Sequence, residues 1–194
     1  MTYFEIKYPQ DQFQEMLTDA YYDRAGLIPG TSSSADDLCE KLTGWLYGRR
    51  RFNSLLIRGG TGSGKTTLVE ALYATLQKLG ELSVGFNLRM RVRAPKLNDE
   101  DLLQDGFIDT LSETKGLVID DMGSESPIVK IYGSEIHPME TVIKRRSDDQ
   151  LPTIITTNLS MEDIERQYNS ARLVSVLSQY DKITISNPKD FRKA

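Results

Sequence analysis

From Asn53 onward the chain alternates short apolar runs with longer amphipathic stretches, the pattern of strands joined by crossover helices. "SLLIR" predicts a short buried strand. A Gly-rich loop follows it, then a helix from about Lys65 to Leu79. "SVGFNLRMRVR" alternates without a break, with Val84, Phe86, Leu88, Met90 and Val92 on one face, and predicts a single long strand. "NDEDLLQDGFIDTLSE" predicts an acidic helix opened by Asn98. "KGLVIDD" predicts a buried strand ending in two aspartates. A helix from about Pro138 to Ser147, the strand "PTIITTN", the helices "SMEDIERQY" and "ARLVSVLSQ" and a last strand "KITI" complete the series. Five strands separated by helices define an α/β domain with a mainly parallel sheet.

The first third is less periodic. "DQFQEMLTDAYYD" predicts a helix with Phe13, Met16, Leu17 and Ala20 on one side, and "GLIPGTSSS" is a turn-rich linker. Ser34 reads as the N-cap of a helix whose Leu38, Leu42, Trp45 and Leu46 share one face and which ends at Gly48. These features divide the chain into an N-terminal extension and linker (1–33) and one domain (34–194).

Composition narrows the classes. A chain of 194 residues buries roughly 70% of its unfolded surface, enough for a sizeable core. No apolar run reaches membrane-spanning length and no signal-peptide pattern is present, so the expectation is a soluble, cytoplasmic protein with no membrane partner. One cysteine, Cys39, excludes an internal disulfide and a Cys-based zinc site; His137 is the only histidine. The net charge of -4 makes any DNA contact local. Arg49–Arg51, the alternating Arg89, Arg91 and Arg93, and Lys144–Arg146 are the available clusters, each also readable as a solvated face.

The candidate chemistry begins at Gly59. "GGTGSGKT" fits G-x-x-x-x-G-K-[ST] and lies between a predicted strand and a predicted helix, as phosphate binding requires. Glycines let successive N–H groups point at phosphate oxygens, with the positive end of a helix dipole behind them. Gly59, Gly60, Thr61, Gly62, Ser63, Gly64, Lys65, Thr66 and Thr67 are the expected nucleotide contacts. Lys65 would reach the β- and γ-phosphates and Thr66 would coordinate Mg²⁺.

In "GLVIDD", Asp120 stands at a strand tip, where a carboxylate holds Mg²⁺ through its water shell. Asp121 follows, placed to orient or deprotonate an attacking water. Asn158, at the tip of "TIITTN", reads either as a hydrogen-bond partner of the γ-phosphate or lytic water, or as a turn residue capping the next helix. Guanine recognition would need N-K-x-D, which the sequence lacks. A small-molecule kinase would need an arginine-rich lid; "RMRVR" is the only candidate, and its alternation favours sheet.

"NSLLIRGGTGSGKTTL", "LVIDDMGSE", "LPTIITTNLSMEDI" and "ARLVSVL" together resemble the AAA+ ATPases of the DnaC/IstB type, bacterial helicase loaders and transposition helpers. The resemblance covers about Leu38 to Ile185. It implies a P-loop NTPase fold with sheet order 5-1-4-3-2, no C-terminal helical lid, ATP with Mg²⁺, and homo-oligomers in which one subunit completes its neighbour's site. It also implies Asp120 as the Mg²⁺ carboxylate, Asp121 as the catalytic acid position and Asn158 as the sensor. Family members end the helix after the sensor in a pattern like R-h-h-S-R-h, where h is hydrophobic. This chain has Arg172 at the first arginine and Val176 at the second. An arginine finger contributes about 10³–10⁵ in rate where measured in P-loop enzymes. The implied function is therefore a replication accessory factor, helicase-loader-like, with a slow ATPase activated by DNA or a partner. Two alternatives stay open: an IstB-type transposition helper with a transposase as partner, and an ATP-gated interaction protein with little hydrolysis. Single-stranded DNA and a replicative helicase are the partners implied by the first reading. Only some fifty residues precede the P-loop strand, which argues against a full helicase-grasping domain.

Overall fold

A computed structural model describes residues 5–48, 54–80, 83–84 and 90–185. In chain order, strand β1 (Glu5–Ile6) leads to helices α1 (Gln10–Ala25) and α2 (Ser33–Tyr47). Strand β2 (Leu55–Gly59), helix α3 (Lys65–Leu79) and strands β3 (Ser83–Val84) and β4 (Met90–Arg93) follow. Helices α4 (Glu100–Gln104) and α5 (Phe107–Glu113) precede β5 (Leu117–Met122) and the short strands β6 (Val129–Ile131) and β7 (Ser134–Ile136). The chain continues through α6 (Pro138–Asp148), β8 (Thr153–Thr157), α7 (Met161–Tyr168), α8 (Ala171–Ser178) and β9 (Asp181–Ile185).

The main sheet has five strands in the order β4-β5-β8-β2-β9. Numbered along the chain and read from the β9 edge, this is 5-1-4-3-2, the expected order. β4 with β5, β5 with β8, and β8 with β2 are parallel pairs. Parallel strands are covered on both faces, which is why Leu117, Val118 and Ile119 of β5 form an unbroken apolar run and all five residues of β8 are buried.

The chain divides into two units, one of residues 1–51, 59–88 and 183–194, the other of residues 52–58 and 89–182. In the first, α1 packs against both α2 and α3, with Phe13 and Leu17 fully buried. Phe13 meets Tyr47 edge-on, ring centroids 5.6 Å apart. β1 pairs antiparallel with β3. The N-cap of α2 is Ser32, two residues before the predicted Ser34; its side chain accepts from Ala35 N–H. The second unit is built around Leu56, Ile119 and Ile155 from three adjacent strands, with Val142, Ile143, Ile164 and Leu177 from the helices packed on them.

Three expectations change. The eleven-residue strand is, in its described parts, two strands in two different sheets, β3 with β1 and β4 with β5; residues 85–89 lie outside the described residues. Alternation reported which faces were apolar, not which strand was the partner. The single acidic helix is two short ones, α4 and α5, parted at Gly106, which is left-handed at φ 78°. Asp99, not Asn98, caps α4. Asn98 instead exchanges two hydrogen bonds with the Ser126 backbone, at 2.9 and 2.7 Å. Finally, β6 and β7 form an antiparallel hairpin where no strand was predicted.

Arg146 is neither a solvated face nor a nucleic-acid contact: it is fully buried. Its Nη1 donates to Leu111 O at 2.7 Å and Thr114 O at 2.6 Å, with Ser112 O at 3.5 Å. Nη2 donates to Pro152 O at 2.7 Å and Nε to Thr153 Oγ1 at 2.8 Å. All these acceptors are uncharged. Three are carbonyls at the C-terminal end of α5, where a helix leaves its last carbonyls unsatisfied and carries partial negative charge. Burial lowers the guanidinium to about 10, so it stays cationic at neutral pH. Arg146→Leu strands those acceptors and is expected to lower unfolding free energy by about 3–5 kcal/mol, read from urea denaturation. A loss below about 1 kcal/mol would show that water replaces the guanidinium without cost.

Candidate nucleotide-binding site

In the first unit, the loop after β2 closes on itself through Lys65. Its ammonium donates to Gly59 O at 2.7 Å and Gly60 O at 2.9 Å, and the residue is buried. Gly62 (φ 76°) and Gly64 (φ 88°) are left-handed, a conformation that costs an L-residue roughly 1–2 kcal/mol and glycine nothing. Gly64 is the N-cap of the 15-residue helix α3 and supplies no side-chain cap. The first-turn N–H groups of α3 are thus not covered by a capping side chain. Gly59 is held close: an added Cβ would stand 2.7 Å from Ser63 Oγ and 3.0 Å from Ile185 Cβ. Ser63 Oγ is buried without a hydrogen-bond partner among the described residues. Thr61 and Thr66 are exposed and Thr67 is half-buried. A buried ammonium, an uncapped helix start and exposed hydroxyls are the donor set a polyphosphate with a hard cation requires, so these residues fit ATP and Mg²⁺.

In the second unit, β5 ends in a bulge. Its register against β8 steps from Ile119↔Ile155 to Met122↔Thr157, one residue more on β5 than on β8. The irregularity falls at the two aspartates, and Asp121 takes φ 67°, a region non-glycine residues enter at a cost. Thr156 holds both residues. Its hydroxyl donates to Asp120 Oδ1 at 2.7 Å and accepts from Asp121 N–H at 2.8 Å. Thr157, also fully buried, donates to Met122 O at 2.7 Å and accepts from Leu159 N–H at 3.1 Å. On the other side, Arg91 Nη2 donates to Asp120 Oδ2 at 3.1 Å. Arg93 lies 3.8 Å from Asp121 in a more exposed pair. Two of the three arginines of "RMRVR" are therefore paired with the acidic strand end. Arg89, like Arg49–Arg51, lies outside the described residues.

Asn158 is exposed immediately after β8. It does not cap α7: Ser160 does, in a reciprocal capping box with Asp163. Arg172 is exposed in the first turn of α8. Val176, one turn on, is partly buried against the core of this unit, which accounts for an apolar residue there. Arg145 pairs with Asp109 across α5 and α6, and Arg146 is committed to the core. Arg146 is thus no substitute for the arginine absent at 176, and Arg145 is engaged within its own chain.

The sequence pattern did not show the roles of Thr156, Thr157 and Arg91 at the acidic strand end, and it missed Glu125. Glu125 is buried, accepts from Gly123 N–H at 2.9 Å, and accepts from the Tyr168 hydroxyl. Burial pushes its pKa up, partly offset by the Tyr168 bond. Beside it, Ser126, Ile128, His137, Glu140 and Asn169 help line an open cleft of about 350 Å³, which contains none of the predicted site residues.

This sheet order, with a P-loop opening the helix after the first of the five strands, is the AAA+ P-loop NTPase fold. Among solved structures the chain is similar to the DnaC helicase loader, at 20% identity and TM-score 0.61, covering 86% of this chain and 98% of that one. It is similar to DnaI at 17% identity and TM-score 0.59, covering 94% of each chain. AMPPCP-bound DnaA from Aquifex aeolicus matches at 17% identity and TM-score 0.57, over 87% of this chain and 51% of that one. No protein-family model and no curated protein matches the sequence. Among the described residues, no helix is long and apolar enough to cross a membrane.

The raised pKa of Glu125 gives a signed pH dependence. A carboxyl whose folded pKa exceeds its ordinary value of 4.5 contributes stability that is fully present below 4.5 and is lost as pH rises through the folded pKa. The urea midpoint of the wild type is expected to fall with increasing pH above 4.5 relative to Glu125→Gln, which cannot titrate. Parallel curves for the two proteins would contradict this assignment.

Proposed function

We propose that the chain binds ATP with Mg²⁺ and acts as a helicase-loader-like accessory factor in DNA replication, hydrolysing ATP slowly unless a partner or DNA activates it. The observation that carries this reading is the loop at 59–67, with the Lys65 ammonium gathered onto it and α3 opening without a side-chain cap. The fold supports it: it is shared with a structure described as the DnaC helicase loader and with DnaA structures bound to AMPPCP, one of them also to single-stranded DNA.

In this reading the backbone N–H groups of Gly59 to Gly64 cradle phosphates and Lys65 supplies a point charge to the β- and γ-phosphates. Mg²⁺, when bound, neutralises phosphate charge. The Thr66 hydroxyl and, through water, the Asp120 carboxylate hold the ion, and Thr67 supports the first turn. Asp121 orients or deprotonates a water, Asn158 hydrogen-bonds the γ-phosphate or that water, and Arg172 serves a neighbouring subunit. Residues 34–194 form the ATPase domain and 1–33 an extension. The partners are single-stranded DNA and a replicative helicase in the cytoplasm, on an ATP-dependent homo-oligomer.

One observation favours a second reading, an ATP-gated adaptor with little turnover. Val176 packs against the core, and Arg146 is buried, so the arginine supply is short.

Lys65→Ala is expected to weaken binding of a fluorescent ATP analogue by about 100-fold or more, because a charge-assisted contact is lost. Unchanged binding would overturn the nucleotide reading. ATP turnover measured against protein concentration, with and without single-stranded DNA, separates the two functions. A specific rate that climbs supports the loader. A flat, near-zero rate with tight binding supports the adaptor.

A further inference from the structure

β4 lies parallel beside β5, with Arg91 opposite Val118 and Arg93 opposite Asp120. Each arginine reaches forward along its neighbour, Arg91 to Asp120 and Arg93 to Asp121. The Arg91–Asp120 pair is the more buried: the side chains are 26% and 1% exposed, against 67% and 37% for Arg93 and Asp121. In that setting a charge pair is little screened by salt. The Asp120 oxygens are engaged from both flanking strands, Oδ1 by the Thr156 hydroxyl at 2.7 Å and Oδ2 by the Arg91 guanidinium at 3.1 Å. A carboxylate offers about four lone-pair sites, and a guanidinium never gives up its charge at working pH. A water of a Mg²⁺ shell donating to Asp120 would compete with Arg91 for the same oxygens. The ion itself would be repelled by a fixed cation at the same carboxylate.

We propose that Arg91 is a resident counter-cation of Asp120 that competes with Mg²⁺, so that it sets the free Mg²⁺ the nucleotide complex requires. The inference rests on the nucleotide-binding reading and adds a residue to it. Arg91 acts through Asp120 and is a positioning residue. The arginine-bearing strand, open in the sequence to reading as a solvated face or a DNA contact, here tunes the metal.

The test is equilibrium binding of a fluorescent ATP analogue to the full chain, first in chelator and then across free Mg²⁺. Arg91→Gln is expected to lower the Mg²⁺ concentration for half-saturation by about tenfold, since a nearby like charge has been removed. Arg91→Lys, which keeps the charge, is expected to stay near the wild type. An Arg91→Gln protein that needs as much Mg²⁺, or more, overturns the proposal. In an Asp120→Asn background the same Arg91→Gln change should shift nothing, because the coupled partner is gone. A tenfold shift there would place the action of Arg91 elsewhere and also overturn it. That double variant is charge-balanced and keeps the test available if Arg91→Gln alone does not fold. Absence of analogue binding by the wild type at every Mg²⁺ concentration overturns the nucleotide reading itself, and this inference falls with it.

Discussion

A single buried cation fixes where two strands begin. Arg146 is bound by the carbonyls that end α5 and by Pro152 and Thr153 at the start of β8. Thr114, one of its acceptors, lies just before β5. The two strands therefore leave from one anchored point, with Leu117 level with Thr153 and Leu117 N–H bonded to Pro152 O at 3.2 Å. A one-residue slip would turn every side chain of a strand to its other face. With the start pinned, the register carries through Ile119 and Ile155 and delivers Thr156 to the Asp120 carboxylate. A desolvated guanidinium is expensive, and here its cost is offset by acceptors that the end of α5 would otherwise leave unsatisfied.

The other end of the same strands carries the acids. Thr156, Arg91 and the bulge act together: the hydroxyl orients one carboxylate and holds the next residue's N–H, while the bulge turns Asp121 out of the ladder. Neighbouring carboxylates repel each other, and β4 answers with an arginine for each. The adjoining strands thus set the electrostatics of this strand end before any ligand is considered.

The strands and the phosphate loop were legible because each has a strong local signal, whereas the sheet order came only with the family resemblance. A parallel strand buried on both faces is a continuous apolar run, and the loop needs glycines, a lysine and a hydroxyl in fixed order. What stayed hidden depended on partners distant in sequence. Thr156 and Thr157 look like ordinary strand residues until β5 lies beside them. Arg146 looks like surface charge until α5 ends against it. Arg91 and Arg93 shared an alternating pattern that spoke of faces and not of the acids one strand away. The β6–β7 hairpin escaped because its strands are three residues long and its turn places Tyr132 (φ 49°) before Gly133, not the Asn or Asp that usually announces such a turn. Asn158 and Arg172 are exposed, and their roles rest on the proposed function.

The left-handed backbone at Asp121 has a consequence for how this strand end can vary over evolution. Beyond glycine, that conformation is best tolerated by aspartate and asparagine, whose short polar side chains bond locally. A longer acid would gain reach and lose backbone comfort, and a β-branched residue would be poorly accommodated. The peptide geometry therefore acts as a filter on the genetic alphabet at this position, and the span of the carboxylate from its own main chain is settled by one torsion angle.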